Sequence, residues 1–237
     1  MKLKTATTQS ESVVHYDTLL AAMSAQERVR WALQHLHGRP ALTSSFGAQA
    51  AVGLHLLSQV RPNIPVILID TGYLFAETYR FIDQLVARLS LNLHVFRPEL
   101  SPAWLEARHG QLWQEGRQGI RRYNELAKMA PMARALADLD VGIWFAGLRR
   151  GQAASREDIH FLHNTTQRWK VHPIADWTDR DVYTYLRRHD LPYHPLWSKG
   201  YLSIGDTHTT RPFQAGMPPE EMRFFGLQRE CGIHELR

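Results

Sequence analysis

The sequence predicts an α/β protein built on a doubly wound parallel sheet. Apolar runs of strand length alternate with stretches whose apolar residues recur every three or four positions, as they do on a helix face. The run at residues 64–70, IPVILID, is apolar up to its last residue, which is typical of a strand buried on both faces. Strands that alternate with helices in this way favour a parallel sheet covered by helices on both sides.

The elements follow in a regular order along the chain. Helical structure is predicted over residues 17–37, with an internal start at the capping box of Ser24 and Glu27 and a stop at Gly38. A last short helix starts with Thr178 and Asp181 and runs to about His189. The predicted strands are residues 41–46, 64–70, 91–96, 141–146 and 168–174. The helices after the first two strands have faces formed by Ala48, Ala51, Val52, His55 and Leu56, and by Phe75, Tyr79, Ile82, Val86 and Leu89.

We expect the 237 residues to form one domain with three parts. We expect a loose N-terminal arm at residues 1–14 and the α/β core at residues 15–190. Residues 191–237 are rich in Pro, Gly and aromatic residues and end in a polar tail. This last composition favours an extended segment wrapped over the sheet, because it lacks the periodicity of a helix or a strand.

The composition is that of a soluble globular protein, with 44% hydrophobic and 22% charged residues. The formal net charge of +5 favours an anionic partner, either nucleic acid or a small phosphorylated substrate, although a solvated basic surface would give the same value. The first residues, MKLKTATTQSESVV, lack the apolar region of a secretory signal. The longest apolar runs are shorter than the ~18 residues of a spanning helix. We therefore expect a cytoplasmic protein.

Ligands of open α/β sheets bind outside the carboxyl ends of the strands, and that rule selects three stretches. The first is TSSFGAQA, residues 43–50, where Ser44, Ser45 and Gly47 would let the backbone approach a phosphate at a helix N-terminus. A serine-capped helix start is the alternative. The second is DTGY, where Asp70, Thr71 and Gly72 would contact a nucleotide's sugar or base or would simply form a turn.

The third stretch is GLRRGQAASR, residues 147–156. Its guanidinium groups at Arg149, Arg150 and Arg156 suit phosphate or sulfate, and a solvated loop is the alternative. The later stretch GDTHTTR would add Arg211 to the same pocket.

Cys231, within RECGIH, is the single cysteine of the chain. With a single cysteine, one chain cannot form an internal disulfide, a Cys-ligated zinc ribbon or a four-thiolate iron–sulfur cluster. Redox chemistry would need a thiol from another molecule. The thiolate is the reactive form, which Arg229, His234 or an arginine cluster would favour and Glu230 would oppose. A surface cysteine without a role is the alternative. No histidine pair has an HExxH-like spacing, so no metal is predicted.

Five stretches together resemble the thioredoxin-dependent phosphoadenylyl-sulfate (PAPS) reductases of bacterial sulfate assimilation. They are SSFGAQAAV, DTGYLFAETYRFID, WFAGLRR, YHPLWSKGYLSIGDTHTTR and RFFGLQRECGIHE, in that order from about residue 40 onward. The resemblance implies an adenine-nucleotide α-hydrolase-like fold with a C-terminal extension over the active site and no bound cofactor. Relatives with a [4Fe–4S] cluster have paired cysteines where this chain reads AKMAPMARAL, so the resemblance is to the cluster-free branch.

The resemblance implies a role for each candidate residue. Cys231 would be the nucleophile; a supporting role for His234 and a pocket position for Arg211 are our extension of it. The resemblance also implies three groups of substrate-binding residues. The nucleotide loop would be formed by Ser44, Ser45 and Gly47, and the adenosine would be contacted by Asp70, Thr71 and Gly72. The phosphosulfate would be bound by Arg149, Arg150 and Arg156.

The implied reaction reduces PAPS to sulfite and adenosine 3',5'-bisphosphate through a cysteine S-sulfonate, which reduced thioredoxin or glutaredoxin then resolves. The resemblance also implies a homodimer that binds neither nucleic acid nor a membrane. Two other classes stay open. An ATP-pyrophosphatase or thiolation enzyme would be expected to have a loop like SGGxDS where this chain reads SSFGAQA. A non-catalytic nucleic-acid-binding module would account for the charge and not for Cys231.

Overall fold

The computed structural model describes residues 16–165, 167–228 and 230–235. The expected loose arm at residues 1–14 lies outside them, and so does Arg229, one of the groups expected to favour the thiolate. None of the helices in the described ranges is long and apolar enough to cross a membrane.

Six strands of the described residues form one sheet. Its order is β3-β2-β1-β4-β6-β5, and all neighbours are parallel except β5, which pairs antiparallel with β6. The predicted parallel sheet is thus confirmed, with one short antiparallel edge strand that the sequence analysis missed. The strands are β1 (Arg39–Thr43), β2 (Pro65–Ile69), β3 (Asn92–Phe96), β4 (Val141–Ala146), β5 (Leu162–Asn164) and β6 (Trp169–Val171).

The predicted helical stretch over residues 17–37 is divided, with its internal start at Ser24 confirmed and its end at His35 rather than at Gly38. Residues 16–21 are helical, and a new helix begins after Ser24, whose Oγ accepts from the Glu27 backbone N–H while its own N–H donates to the Glu27 carboxylate. This capping box starts a helix because it satisfies N–H groups that lack a partner in the first turn. The helices with both ends described are α1 (Ala25–His35), α2 (Ala50–Val60), α3 (Ala76–Leu89), α4 (Pro102–His109), α5 (Gly116–Asn124), α6 (Ala130–Asp138) and α7 (Asp179–Arg188).

Helices cover both faces of the sheet. Adjacent residues of a strand point to opposite faces, and in β4 the buried Phe145 lies in a cluster with Leu54 and Phe81 of α2 and α3. Its neighbour Trp144 lies in a second cluster with Met132 of α6. The sheet therefore has an apolar core on each side, as a doubly wound fold requires.

Between α5 and α6 the backbone forms a π-helical segment, Glu125–Met129. Such segments insert an extra residue into the helical turn, which redirects the side chains on either side of it, and they are frequent at functional sites. Here the segment includes Lys128, whose side chain is buried.

After α7 the described chain has short 3-10 turns and no further α-helix or sheet strand. This segment is attached to the loops that follow β1 and β2, because His194 N–H donates to Ala48 O and Thr207 N–H donates to Tyr73 O. It therefore crosses the carboxyl edge of the sheet, where the sequence predicted a ligand site.

Candidate active site

A cavity of about 450 Å³ opens at the carboxyl ends of β1, β2 and β4. Its remaining wall comes from the C-terminal segment, including residues 202–206 and 230–231. The sequence-predicted candidates that line it are Ser44, Ser45, Gly47, Thr71, Arg149, Arg156, Cys231 and His234. The candidates outside its lining are Asp70, Gly72, Arg150 and Arg211.

The loop after β1 opens a helix N-terminus toward the cavity. Ser44 N–H donates to Ile67 O of β2, and Ser44 Oγ accepts from Phe46 N–H at 3.1 Å, so the side chain tightens the turn. No side chain caps the first turn of α2, which begins at Ala50. The Ala50 and Val52 N–H groups donate to Gly47 O and Gln49 O, and the positive end of the helix dipole still makes this terminus attractive to an anion.

Asp70 is a structural residue of the turn after β2. Its Oδ1 accepts from Gly72 N–H and from Tyr79 OH, and its Oδ2 accepts from Arg97 Nε at 3.0 Å. Gly72 has φ +78, and a Cβ there would lie 2.5 Å from Pro102 Cγ, so the turn has no room for a side chain. The carboxylate and the glycine thus shape the turn without lining the cavity.

The three arginines of the loop after β4 diverge. Arg149 is buried and lines the cavity, where Nη2 donates to Gln49 Oε1 at 2.6 Å and to Asp179 Oδ1 at 2.8 Å. Arg150 points away, because its Nε donates to Ile159 O and its guanidinium lies 4.8 Å from the centre of the Phe161 ring. The expected common pocket for the three groups is therefore not observed.

The third arginine of this loop, Arg156, lines the cavity and binds the C-terminal tail. Its Nε and Nη2 donate to the two carboxylate oxygens of Glu230, each at 2.8 Å. Arg211 lies outside the cavity and binds the backbone and carboxylate of Glu221 in its own segment.

Cys231 is half-buried and lines the cavity. His234 is held against the sheet by residues of β4 and β6. Its ring stacks on Trp144, with 5.6 Å between the ring centroids, and its carbonyl accepts from Lys170 Nζ at 2.9 Å. Burial, reinforced by the nearby His172, lowers the pKa of His234 to about 3. The imidazole is therefore neutral at pH 7, and its buried Nδ1 has no hydrogen-bond partner within the described part of the chain.

The sequence analysis missed four charged residues of the lining: Lys128, Asp179, Asp206 and Arg223. Asp206 accepts from Thr71 Oγ1 and Tyr123 OH and pairs with Lys128. Burial opposes the ionisation of Asp206, but Lys128 outweighs it and holds the pKa of this carboxyl below its usual range. Among the described residues, Arg223 is the lining cation for which no ion pair is observed, and its Nε lacks a hydrogen-bond partner.

These observations define an α/β nucleotide-binding enzyme whose cavity combines a helix N-terminus, several cations and a thiol. The family model for the phosphoadenosine phosphosulfate reductase domain matches residues 39–212, and the chain belongs to that family. The resemblance inferred from the sequence is thus confirmed, and with it the assignment as an oxidoreductase.

Individual relatives agree with the family assignment. The chain is 62% identical over 216 residues to a phosphoadenosine 5'-phosphosulfate reductase of Xanthomonas axonopodis pathovar citri, covering 91% of this chain and 90% of the relative. The crystal structure of a PAPS reductase from Candida auris, a phosphate complex, aligns with a TM-score of 0.74 at 29% identity, over 85% of this chain and 97% of the other. An FMN adenylyltransferase of Candida glabrata aligns with a TM-score of 0.57 at 16% identity, over 82% and 66%, and shares the fold alone.

Proposed function

We propose that this protein reduces PAPS to sulfite and adenosine 3',5'-bisphosphate in assimilatory sulfate reduction, with Cys231 as the nucleophile. One observation carries the proposal: the tail places the single thiol of the chain in the wall of a cation-lined cavity at the carboxyl edge of the sheet. A polyanionic nucleotide needs such cations, and a reductase without a bound cofactor needs a thiol within reach of the sulfo group.

The nucleotide would bind along the loops after β1, β2 and β4. Ser44, Ser45 and Gly47, beside the N-terminus of α2, suit a phosphate group, and Thr71 would face the adenosine side. Asp70 and Gly72 would act indirectly, by holding the turn beside it. The buried Arg149 and the cations Lys128 and Arg223 would neutralise the phosphosulfate.

The first chemical step is a displacement at sulfur. The Cys231 thiolate forms a bond to the sulfur of the sulfo group, and the bond from that sulfur to the phosphate oxygen breaks. The electron pair of the broken bond leaves on the phosphate oxygen, so adenosine 3',5'-bisphosphate departs and Cys231 carries an S-sulfonate. The lining cations stabilise the charge that grows on the leaving phosphate.

The second step requires a dithiol from another protein, because the chain contains one cysteine. A thiolate of reduced thioredoxin or glutaredoxin attacks Cys231 Sγ, sulfite leaves with the electron pair, and a mixed disulfide forms. The second thiol of the donor then displaces Cys231, which returns to the reduced state while the donor becomes a disulfide. His234, neutral and stacked on Trp144, would support the tail through this cycle.

We propose that the enzyme works in the cytoplasm as a homodimer.

Sulfite release tests the function directly. Purified protein with PAPS and reduced thioredoxin should release sulfite and adenosine 3',5'-bisphosphate in equal amounts. The unphosphorylated analogue should react roughly tenfold to a hundredfold less efficiently, because the 3'-phosphate adds a charged contact. Pyrophosphate release from ATP with no sulfite from PAPS would instead favour the ATP-pyrophosphatase class, and nucleic-acid binding without turnover would favour the binding module.

A further inference from the structure

Glu230, the residue before Cys231, is tied to the loop after β4 by three hydrogen bonds. Arg156 supplies two of them at 2.8 Å in a bidentate pair, and Ser155 Oγ donates the third to Glu230 Oε1 at 3.0 Å. The side chains of Arg156 and Glu230 are 16% and 24% exposed. A bidentate pair that is largely shielded from water is stronger and more directional than an exposed ion pair.

The other side of the thiol is fixed as well. Ile233 packs against the apolar cluster that includes Trp144, and Lys170 Nζ donates to His234 O at 2.9 Å. Cys231 thus lies between two attachments, one through the carboxylate of its neighbour and one through residues 233–234. Because adjacent Cα atoms are about 3.8 Å apart, fixing Glu230 confines Cys231 to the wall of the cavity.

The pair with Glu230 occupies the Nε–Nη2 edge of Arg156, the edge with which an arginine binds an oxyanion through two hydrogen bonds. Nε and Nη2 are taken by Glu230, and Nη1 donates to Gln152 Oε1 at 2.6 Å. The phosphosulfate-binding role that the resemblance implied for Arg156 would require the tail to give up this pair. The pair also offsets the negative charge of Glu230, which would otherwise oppose the thiolate next to it.

We infer that Glu230 is a positioning residue: its pair with Arg156 docks the tail so that Cys231 faces the bound substrate, and opening of the pair frees Cys231 for the electron donor. The inference rests on the proposed function and adds a role to a residue that does not itself react. It assigns Arg156 to the tail and leaves the substrate to Arg149, Lys128 and Arg223.

The experiment compares Glu230→Gln, Arg156→Gln and the double variant with Glu221→Gln. The last is a matched control, because Glu221 pairs with Arg211 outside the cavity. Three quantities are measured: the Kd for PAPS in a Cys231→Ser background, the single-turnover rate of S-sulfonation without thioredoxin, and the rate at which iodoacetamide alkylates Cys231 at fixed pH. Circular dichroism confirms that each variant is folded.

Both single variants should slow S-sulfonation by about tenfold to a hundredfold, as expected for loss of a charged pair, with Kd values for PAPS within about twofold of the parent. Alkylation should become faster, and the double variant should be no worse than either single one, since the two side chains act as one unit. Glu221→Gln should match the parent throughout.

Two results would overturn the inference. Parent-like S-sulfonation in Glu230→Gln would show that the carboxylate does not position the thiol. Tighter PAPS binding in Glu230→Gln together with weaker binding in Arg156→Gln would show that Arg156 belongs to the substrate and Glu230 competes with it. Failure of the proposed function would look different from both results, because the parent protein itself would then form no S-sulfonate.

Discussion

Lys128 Nζ lies 2.5 Å from Asp206 Oδ2, with the two side chains only 7% and 1% exposed. The pair joins the π-helical segment to the C-terminal segment, and Thr71 and Tyr123 donate further hydrogen bonds to the same carboxylate. Three parts of the chain that are distant in sequence thus meet at one carboxylate: the turn after β2, the helical stretch with Tyr123 and Lys128, and the C-terminal segment. The wall of the cavity consequently depends on a buried ionic network.

Removing one partner of this network should be costly. Asp206→Asn and Lys128→Met should each lower the free energy of unfolding by roughly 3–5 kcal/mol, because the remaining charge stays buried without its partner. The double variant should lose less than the sum, and urea denaturation measures all three. Asp140→Asn is the control, since Asp140 pairs with Arg39 at 3.8 Å between largely exposed side chains. Strictly additive losses would contradict the network.

Much of the fold could be predicted because its signals are local. The strand at residues 141–146 has the predicted bounds, and the helix starts at Ser24 and Thr178 are fixed by capping boxes readable in the sequence. The strand β5 was missed for a physical reason. It has three residues, too few for a periodic pattern, and its place depends on pairing with β6.

The position of the site could be predicted, because ligands of such sheets bind at the carboxyl ends of the strands. Which side chains of the loops point into the cavity could not be predicted. Thr71 and Cys231 line the cavity, as the strand-end rule and the tail motif led us to expect. The neighbouring residues Arg149 and Arg150 point in different directions, and no local sequence pattern distinguishes the two. Lys128 stands in AKMAPMARAL, which we considered only for its lack of cysteines, and its burial follows from a π-helical segment that has no simple sequence signal.

Arg149 provides a test of the substrate site. Arg149→Ala should weaken binding of adenosine 3',5'-bisphosphate and lower turnover, by roughly tenfold or more for loss of a charged hydrogen-bonding group. Arg149→Lys should not fully restore either, because the guanidinium donates to three acceptors, namely Trp177 O, Gln49 Oε1 and Asp179 Oδ1, and an ammonium group lacks its planar, spread donors.

Isothermal titration and steady-state kinetics measure the two effects of the Arg149 variants. The control, Arg39→Ala, removes the same charge at the opposite end of β1, where the side chain is exposed. If Arg149→Ala binds and turns over like Arg39→Ala, the arginine serves only the fold.

His172 predicts a pH dependence of stability. Burial, reinforced by Lys170, lowers its pKa to about 4, although a hydrogen bond with His160 O partly opposes this. In the unfolded chain a histidine has a pKa of about 6.5, so below that pH the unfolded state binds a proton that the folded state does not. Stability is therefore full above about pH 6.5 and falls toward pH 4, by roughly 2 kcal/mol between about pH 7 and 5 from this residue alone.

The variant His172→Gln isolates that contribution, because its amide can still donate to His160 O. Urea denaturation at several pH values should show a shallower loss of stability toward acid for His172→Gln than for the parent. His37→Gln, with an exposed side chain, is the control and should follow the parent. Parallel curves for all three proteins would show that His172 titrates alike in the folded and unfolded states.

A single-turnover experiment tests the chemistry of Cys231. Pre-reduced protein mixed with stoichiometric PAPS, without thioredoxin, should release adenosine 3',5'-bisphosphate in a burst equal to the active sites, and no free sulfite. The intact mass should rise by one sulfo group located on the peptide with Cys231, and reduced thioredoxin should then release sulfite and restore the mass. These outcomes follow because the chain has one thiol and the S-sulfonate needs a second to resolve it.

The matched variant for this experiment is Cys231→Ser, which changes one atom at the cavity wall. It should bind PAPS yet show neither burst nor adduct, because a serine hydroxyl is a far poorer nucleophile at neutral pH than a cysteine thiol. The parent must be reduced beforehand, since the Cys231 thiols of two chains could pair as a disulfide and mask the site. Sulfite formation by the serine variant, or a burst without a mass change at Cys231, would mean that the covalent route is wrong. The attack on sulfur would then have to come from thioredoxin directly.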